Sequence, residues 1–189
     1  MSSLPLKIAT LMIVLLTAAV AGGCSSDTGE AVGDASQAAG AVRTAAKGTK
    51  GAMAPDFSLK RLDGSSLQLS SLRGKAVIVD FWDTWCPPCI KALPHLQELS
   101  VTYGDDLVVV AVALGRDGED KVRAFTQKHG LTMEVVLFGN QTHLIEEFGG
   151  MESIPTTFLL DADGVIQQKW VGAYPKSSYE TAVKKLIAS

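Results

Sequence analysis

The strongest constraint on the fold is one apolar run, Ala76-Val77-Ile78-Val79-Asp80-Phe81-Trp82, separated by three residues from Cys86-Pro87-Pro88-Cys89. The run does not alternate between apolar and polar side chains, as expected of a strand covered on both faces. Pro87 suits a helix start, because the N–H it lacks would have no partner in a first helical turn. From residue 87 to about 103 the pattern is helical, with Pro94 inside it as an expected kink. A buried strand, a short loop and a helix opening on a Cys-x-x-Cys pair favour a parallel sheet with helices on its faces.

The rest of the chain from residue 53 agrees with that choice. Residues 57–59 and 67–69 read as a hairpin around Asp63-Gly64, and residues 70–74 as one helical turn. Residues 107–114 form a second very apolar strand. Residues 119–129 carry Val122 and Phe125 at helical spacing before Gly130 stops the helix. A strand at 134–138 and a short helix at 142–148 follow. Two strands then flank Ala162-Asp163-Gly164, and a closing helix spans 175–188. The expected domain, residues 53–189, is α/β. It has a central mixed sheet flanked by helices, an N-terminal hairpin and a terminal hairpin.

The N-terminus reads as an address. Lys7 is the only charged side chain before Asp27, and residues 8–21 are apolar. That run of about 14 residues falls short of the ~20 needed to span a bilayer. A positive flank, a short apolar stretch and small residues are the signature of a secretory signal. The run ends in Ala21-Gly22-Gly23-Cys24, which resembles a bacterial lipobox, with Ala21 where Leu or Val is usual. Residues 1–23 are therefore expected to be a lipoprotein signal peptide, and Cys24 to carry lipid. An ordinary secretory signal or an uncleaved anchor would leave Cys24 without a task. Cleavage would remove Lys7 and no acid, so the remainder is more acidic and would not adhere to anionic lipid by charge. Ser25, next to the lipidated cysteine, favours the outer membrane of a double-membraned bacterium by the same resemblance. Residues 25–52 are rich in Ala, Gly, Ser and Thr and lack aromatics, so 24–52 is expected to be a lipidated, flexible tether.

The net charge of −3 argues against nucleic-acid binding through phosphates. With Cys24 assigned to lipid, Cys86 and Cys89 remain as a pair. At a helix N-terminus, unpaired N–H groups and the helix dipole stabilise a thiolate at Cys86. Cys89 lies one turn on. Cys86 would attack a substrate disulfide, and Cys89 would resolve the mixed disulfide. A structural disulfide and half a zinc site are the plainer alternatives. Zinc would need a second pair or two well-spaced histidines, and His95, His129 and His143 do not provide them. No metal and no cofactor beyond the Cys86–Cys89 pair is expected.

The stretch Val79-Asp80-Phe81-Trp82-Asp83-Thr84-Trp85-Cys86-Pro87-Pro88-Cys89 resembles the thioredoxin superfamily. Three features resemble its extracytoplasmic TlpA/ResA-like branch. These are Ala54-Pro55-Asp56-Phe57, the Cys-Pro-Pro-Cys centre, and Ile154-Pro155-Thr156-Thr157-Phe158-Leu159-Leu160-Asp161 followed by Asp163-Gly164. The resemblance implies a thioredoxin-like fold, with residues from about 117 to 138 as the helix–strand insert of that branch. It implies that Pro155 is cis and lies against the cysteines, with the Ile154 backbone placed to pair with an extended substrate. Two positions depart from the branch. Asp80 stands where Asn is more usual. Its pKa is expected to be raised between apolar neighbours, so that it can take the proton of Cys89. Ala92 stands where many members carry Glu. Asp83 is either a partial substitute for that acid or an exposed loop residue. Trp85, with Pro87 and Pro88, is expected to face substrate, and Trp82 to pack.

The function expected from these residues is a membrane-tethered, extracytoplasmic protein-disulfide reductase. By resemblance, its substrates include apocytochrome c before haem attachment. Its electrons come from a membrane thiol carrier of the CcdA/DsbD type. A disulfide-forming oxidant uses the same residues. A copper metallochaperone would require a distal histidine, for which His143 is the best candidate. A peroxidase would require Thr where Asp83 stands. A lipid-anchored binding module without catalysis is the last alternative, and titrating the thiols together with an insulin-reduction assay separates it from the enzyme.

Overall fold

The computed structural model describes residues 47–188. The expected signal, Cys24 and most of the tether lie outside the described residues. The chain forms β1 (Ser58–Arg61), β2 (Ser66–Gln68), β3 (Ala76–Trp82), α1 (Pro87–Tyr103), β4 (Leu107–Ala113), α2 (Glu119–His129) and β5 (Glu134–Leu137). It continues with α3 (His143–Glu147), β6 (Thr156–Leu160), β7 (Ile166–Val171) and α4 (Lys176–Ile187). A 3-10 turn at Leu69–Leu72 occupies the place of the expected helical turn. Helix α1 runs through Pro94 as one element.

The seven strands form one mixed sheet in the order β2-β1-β5-β4-β3-β6-β7. β3, β4 and β5 are parallel, and the remaining pairs are antiparallel. The fold is the expected α/β, thioredoxin-like one. The insert has a clear structural job: β5 pairs parallel with β4 on one side and antiparallel with β1 on the other. It thereby joins the N-terminal hairpin to the main sheet.

All seven residues of β3 are buried, which is what its unbroken apolar run requires. Val77, Val79 and Phe81 enter one core, with Phe57, Phe138, Phe148 and Phe158. Ile78 and Trp82 enter the other, with Leu93, Leu96 and Leu99 of α1 and Tyr179 and Val183 of α4. Side chains alternate along a strand, so even-numbered Asp80 belongs to the α1/α4 face.

The described end of the tether requires a correction. Residues 47–52, expected to be flexible, are bonded to the domain. The Gly51 N–H donates to Ile166 O at 2.7 Å, and the Ile166 N–H donates to Ala52 O at 2.8 Å. Gly48, with φ +71°, lies so close to α3's C-terminal end that a Cβ would collide with the Phe148 carbonyl. Composition misses this because main-chain pairing and glycine-on-glycine approach need no apolar side chain.

Candidate active site

The site forms where β3 ends and α1 begins. Cys86 caps α1 in extended geometry, and its Sγ accepts the Cys89 N–H at 3.2 Å. The first helical bond, from Ile90 N–H to Cys86 O, measures 3.1 Å. Pro87 and Pro88 fill the opening helical positions, so neither adds an unpaired N–H. The two cysteines form a disulfide with Cα atoms 5.3 Å apart. Cys86 is 2% exposed and Cys89 is fully buried. Access to the pair is therefore through Cys86.

The loop before β6 closes over the pair. The Ile154–Pro155 peptide is cis. Ile154 O lies 3.6 Å from Cys86 Sγ, and Pro155 O accepts the Gly172 N–H at 2.7 Å. An open groove of about 400 Å³ reaches Cys86 between this loop and the one following β4. Trp85, Pro87, Pro88, Ile154, Met151 and Arg116 are among its lining residues. With Cys86 itself, the groove therefore brings together five residues singled out in the sequence, with Arg116 and Met151 added. Arg116 carried no local motif. The available signal was its place just beyond the C-terminal end of a buried parallel strand, where sites on such sheets collect. Trp85 is 47% exposed, and Arg116 Cζ stands 5.6 Å from its ring centroid. Trp82 is fully buried against Phe125, with ring centroids 5.2 Å apart.

Asp80 lies on the sheet face that also receives Cys89. Its cross-strand neighbours are Ala111 on β4 and Thr157 on β6. The Thr157 hydroxyl donates to Asp80 Oδ1 at 2.7 Å, while Oδ2 has no hydrogen-bond partner among the described residues. Burial pushes the Asp80 carboxyl up to about 7, and the Thr157 hydrogen bond holds it back. The Tyr179 phenol on α4 is also raised, first by burial and further by the Asp80 carboxyl. Thr157 was part of the sequence motif but not seen there as a partner. Only the antiparallel register of β3 and β6 brings it opposite Asp80.

Asp83 is not an exposed loop acid: it is fully buried. Its Oδ1 accepts the Thr84 N–H at 2.8 Å and its Oδ2 accepts the Arg116 N–H at 3.1 Å. Ala92 is also fully buried. His129 stacks on Phe125 at 4.1 Å, His95 is half-buried on α1, and His143 is exposed. Among the described residues, no three His, Cys, Asp or Glu side chains gather as metal ligands would.

Relatives share this arrangement of sequence and fold. The AhpC/TSA family profile matches residues 50–169. The thioredoxin-like protein YneN of Bacillus subtilis is 39% identical over 133 residues, covering 69% of this chain and 76% of its own. The thiol-disulfide oxidoreductase ResA of Bacillus thuringiensis is 35% identical over 137 residues, covering 72% and 78%. A crystal structure of a thiol:disulfide interchange protein of Chlorobium tepidum, from the thioredoxin family, superposes with a TM-score of 0.66 at 30% identity. It covers 74% of this chain and 98% of that one. With a Cys86–Cys89 disulfide at the start of α1, this chain belongs to the AhpC/TSA family, as a thiol-disulfide oxidoreductase of the ResA type.

Proposed function

We propose that the protein is a reductase of disulfides in exported proteins, held outside the cytoplasm by lipid on Cys24. The observation that carries the direction is Asp80, fully buried on the sheet face that also receives the cysteines. A negative carboxylate there disfavours thiolate in the reduced pair. Destabilising the reduced form lowers the potential, the reverse of what makes a strong oxidant.

In the reaction, the reduced Cys86 thiolate attacks one sulfur of the substrate disulfide, and the other leaves as a thiolate. Asp80 Oδ2 takes the proton of Cys89. The Cys89 thiolate then attacks Cys86 Sγ, breaks the mixed disulfide and releases the second substrate thiolate. Two electrons pass to the substrate, and the protein is left as its Cys86–Cys89 disulfide. A membrane thiol carrier of the CcdA/DsbD type would restore the dithiol. Apocytochrome c, which must present reduced cysteines to haem, is the substrate that the family resemblance favours. Trp85, Pro87, Pro88 and the Ile154 backbone line the approach of an extended segment. The ResA name of a relative and the lipobox-like Ala21-Gly22-Gly23-Cys24 support this placement. Among the described residues, no helix is long and apolar enough to cross a membrane.

The deciding experiment is to equilibrate the Cys86–Cys89 pair against defined thiol buffers. A potential near thioredoxin's, about −270 mV, supports the reductase; one near DsbA's, about −120 mV, makes the protein a disulfide donor. Mass spectrometry of the mature N-terminus tests the lipid on Cys24.

A further inference from the structure

Asp83 has no part in the electron transfer described above, yet it is completely buried. Burying a carboxylate is costly unless its oxygens are bonded, and here both are. Oδ1 accepts the Thr84 N–H at 2.8 Å, within the loop that leads to Cys86. Oδ2 reaches the loop after β4 and accepts the Arg116 N–H at 3.1 Å. The Asp83 carbonyl accepts the Cys86 N–H at 3.2 Å. One residue therefore ties together the two loops that leave the ends of β3 and β4, with charge-assisted bonds stronger than neutral ones.

Those two loops carry Trp85 and Arg116. Both side chains are exposed, they stack on each other at 5.6 Å, and both line the groove that opens on Cys86. Neither side chain is a member of either apolar core. Beyond the Leu114 N–H to Trp82 O bond at the strand ends, the Asp83 carboxylate is what joins the backbone segments that carry them.

We infer that Asp83 is a positioning residue for the polypeptide substrate: it holds Trp85 and Arg116 as one rigid wall of the groove, against which the chain flanking the target disulfide lies. This rests on the redox reading above, because the wall has a task only if Cys86 attacks disulfides within polypeptides. A substrate too small to reach the wall gains nothing from it. Loss of the clamp removes binding that is equal in the ground and transition states, which raises KM and leaves kcat in place.

The test is saturation kinetics of the full-length protein, kept reduced by excess dithiothreitol with the uncatalysed rate subtracted, on insulin, a polypeptide disulfide, and on hydroxyethyl disulfide, a small one. Asp83→Asn turns an amide N–H toward one of the two main-chain donors, and Asp83→Ala removes both bonds. Either variant is expected to raise the KM for insulin roughly ten-fold, with kcat and the small-disulfide rate within about two-fold of the wild type. Arg116→Ala keeps the main-chain bond to Asp83 and removes the stacked side chain. Being exposed, it also keeps the test available if an Asp83 variant does not fold. It should raise the insulin KM as well, and the double variant should be little worse than either single one, because both act on the same wall. Three results overturn the inference: an unchanged insulin KM, an equal fall of kcat on both substrates, or effects that simply multiply. A wild-type protein that reduces neither disulfide removes the redox reading and this inference with it. Activity on both substrates with unaltered variants removes this inference alone.

Discussion

The two faces of the sheet are built from one strand and serve different ends. On the face of α3 and the N-terminal hairpin, β3 contributes Val77, Val79 and Phe81 to an apolar core whose nearest charge is the half-buried Lys169, its ammonium 5.3 Å over the Phe158 ring. Phe81 meets Phe138, Phe148 and Phe158 edge-on, with centroids 5.2 to 6.2 Å away for the last two. On the face of α1 and α4, the same strand places Asp80 between Ile78 and Trp82. Both faces are equally dry. The first converts burial into stability, since a fully buried side chain of this size contributes about 1.5–3 kcal/mol. The second gives up part of that stability to keep an ionisable carboxyl on the face that receives the cysteines. The difference shows how one period-two strand can separate a structural layer from a chemical one by residue parity alone.

That separation can be tested by substitutions, of which the largest effect is on the sulfur. Cys86→Ser should lower turnover by at least about 10³-fold while leaving the aromatic face intact. Cys89→Ser should instead accumulate a mixed disulfide with substrate, seen as added mass on non-reducing analysis.

Asp80→Asn comes next, and its sign is specific. Burial pushes the folded carboxyl up to about 7 from the ordinary 3.8. A raised acid holds its proton more tightly in the folded state. Its contribution is therefore fully present below about 3.8 and is lost as pH rises through about 7. Over that window the wild type should lose on the order of 4 kcal/mol in urea unfolding. Asp80→Asn should flatten this dependence and be the more stable protein at pH 8. The same variant should slow release from the mixed disulfide by about 10²-fold at neutral pH, because Cys89 loses its proton acceptor. A pH profile unchanged by the substitution would break the contrast between the faces.

Phe81→Ala is the matching change on the other face. It should cost about 3–5 kcal/mol of unfolding free energy and leave the potential of the cysteine pair where it was. A shifted potential would mean that the two layers are coupled through β3. The smallest effect belongs to the rim: Lys176→Met removes the exposed ion pair to Glu98, and the melting temperature should stay within measurement scatter.

The sequence by itself determined what depends on near neighbours. An unbroken apolar run marked β3 as buried, turn dipeptides marked both hairpins, and Cys-Pro-Pro-Cys marked the start of α1, because strand period, turn stereochemistry and helix capping are local properties. Tertiary structure alone decided which distant groups meet. Thr157 lies 77 residues from Asp80, Ile154 lies 68 from Cys86, and Arg116 lies 33 from Asp83. The role of Asp83 was open in the sequence, since an acid between Trp82 and Thr84 suits an exposed loop as well as a buried clamp. The order of the tether's last residues is hidden from composition for a related reason: Gly51 and Ala52 are held by main-chain bonds to Ile166, which no side-chain pattern records. Strand register and loop closure set these contacts. Both follow from the packing of the whole chain, which makes a carboxyl's partners a property of the fold rather than of its flanking residues.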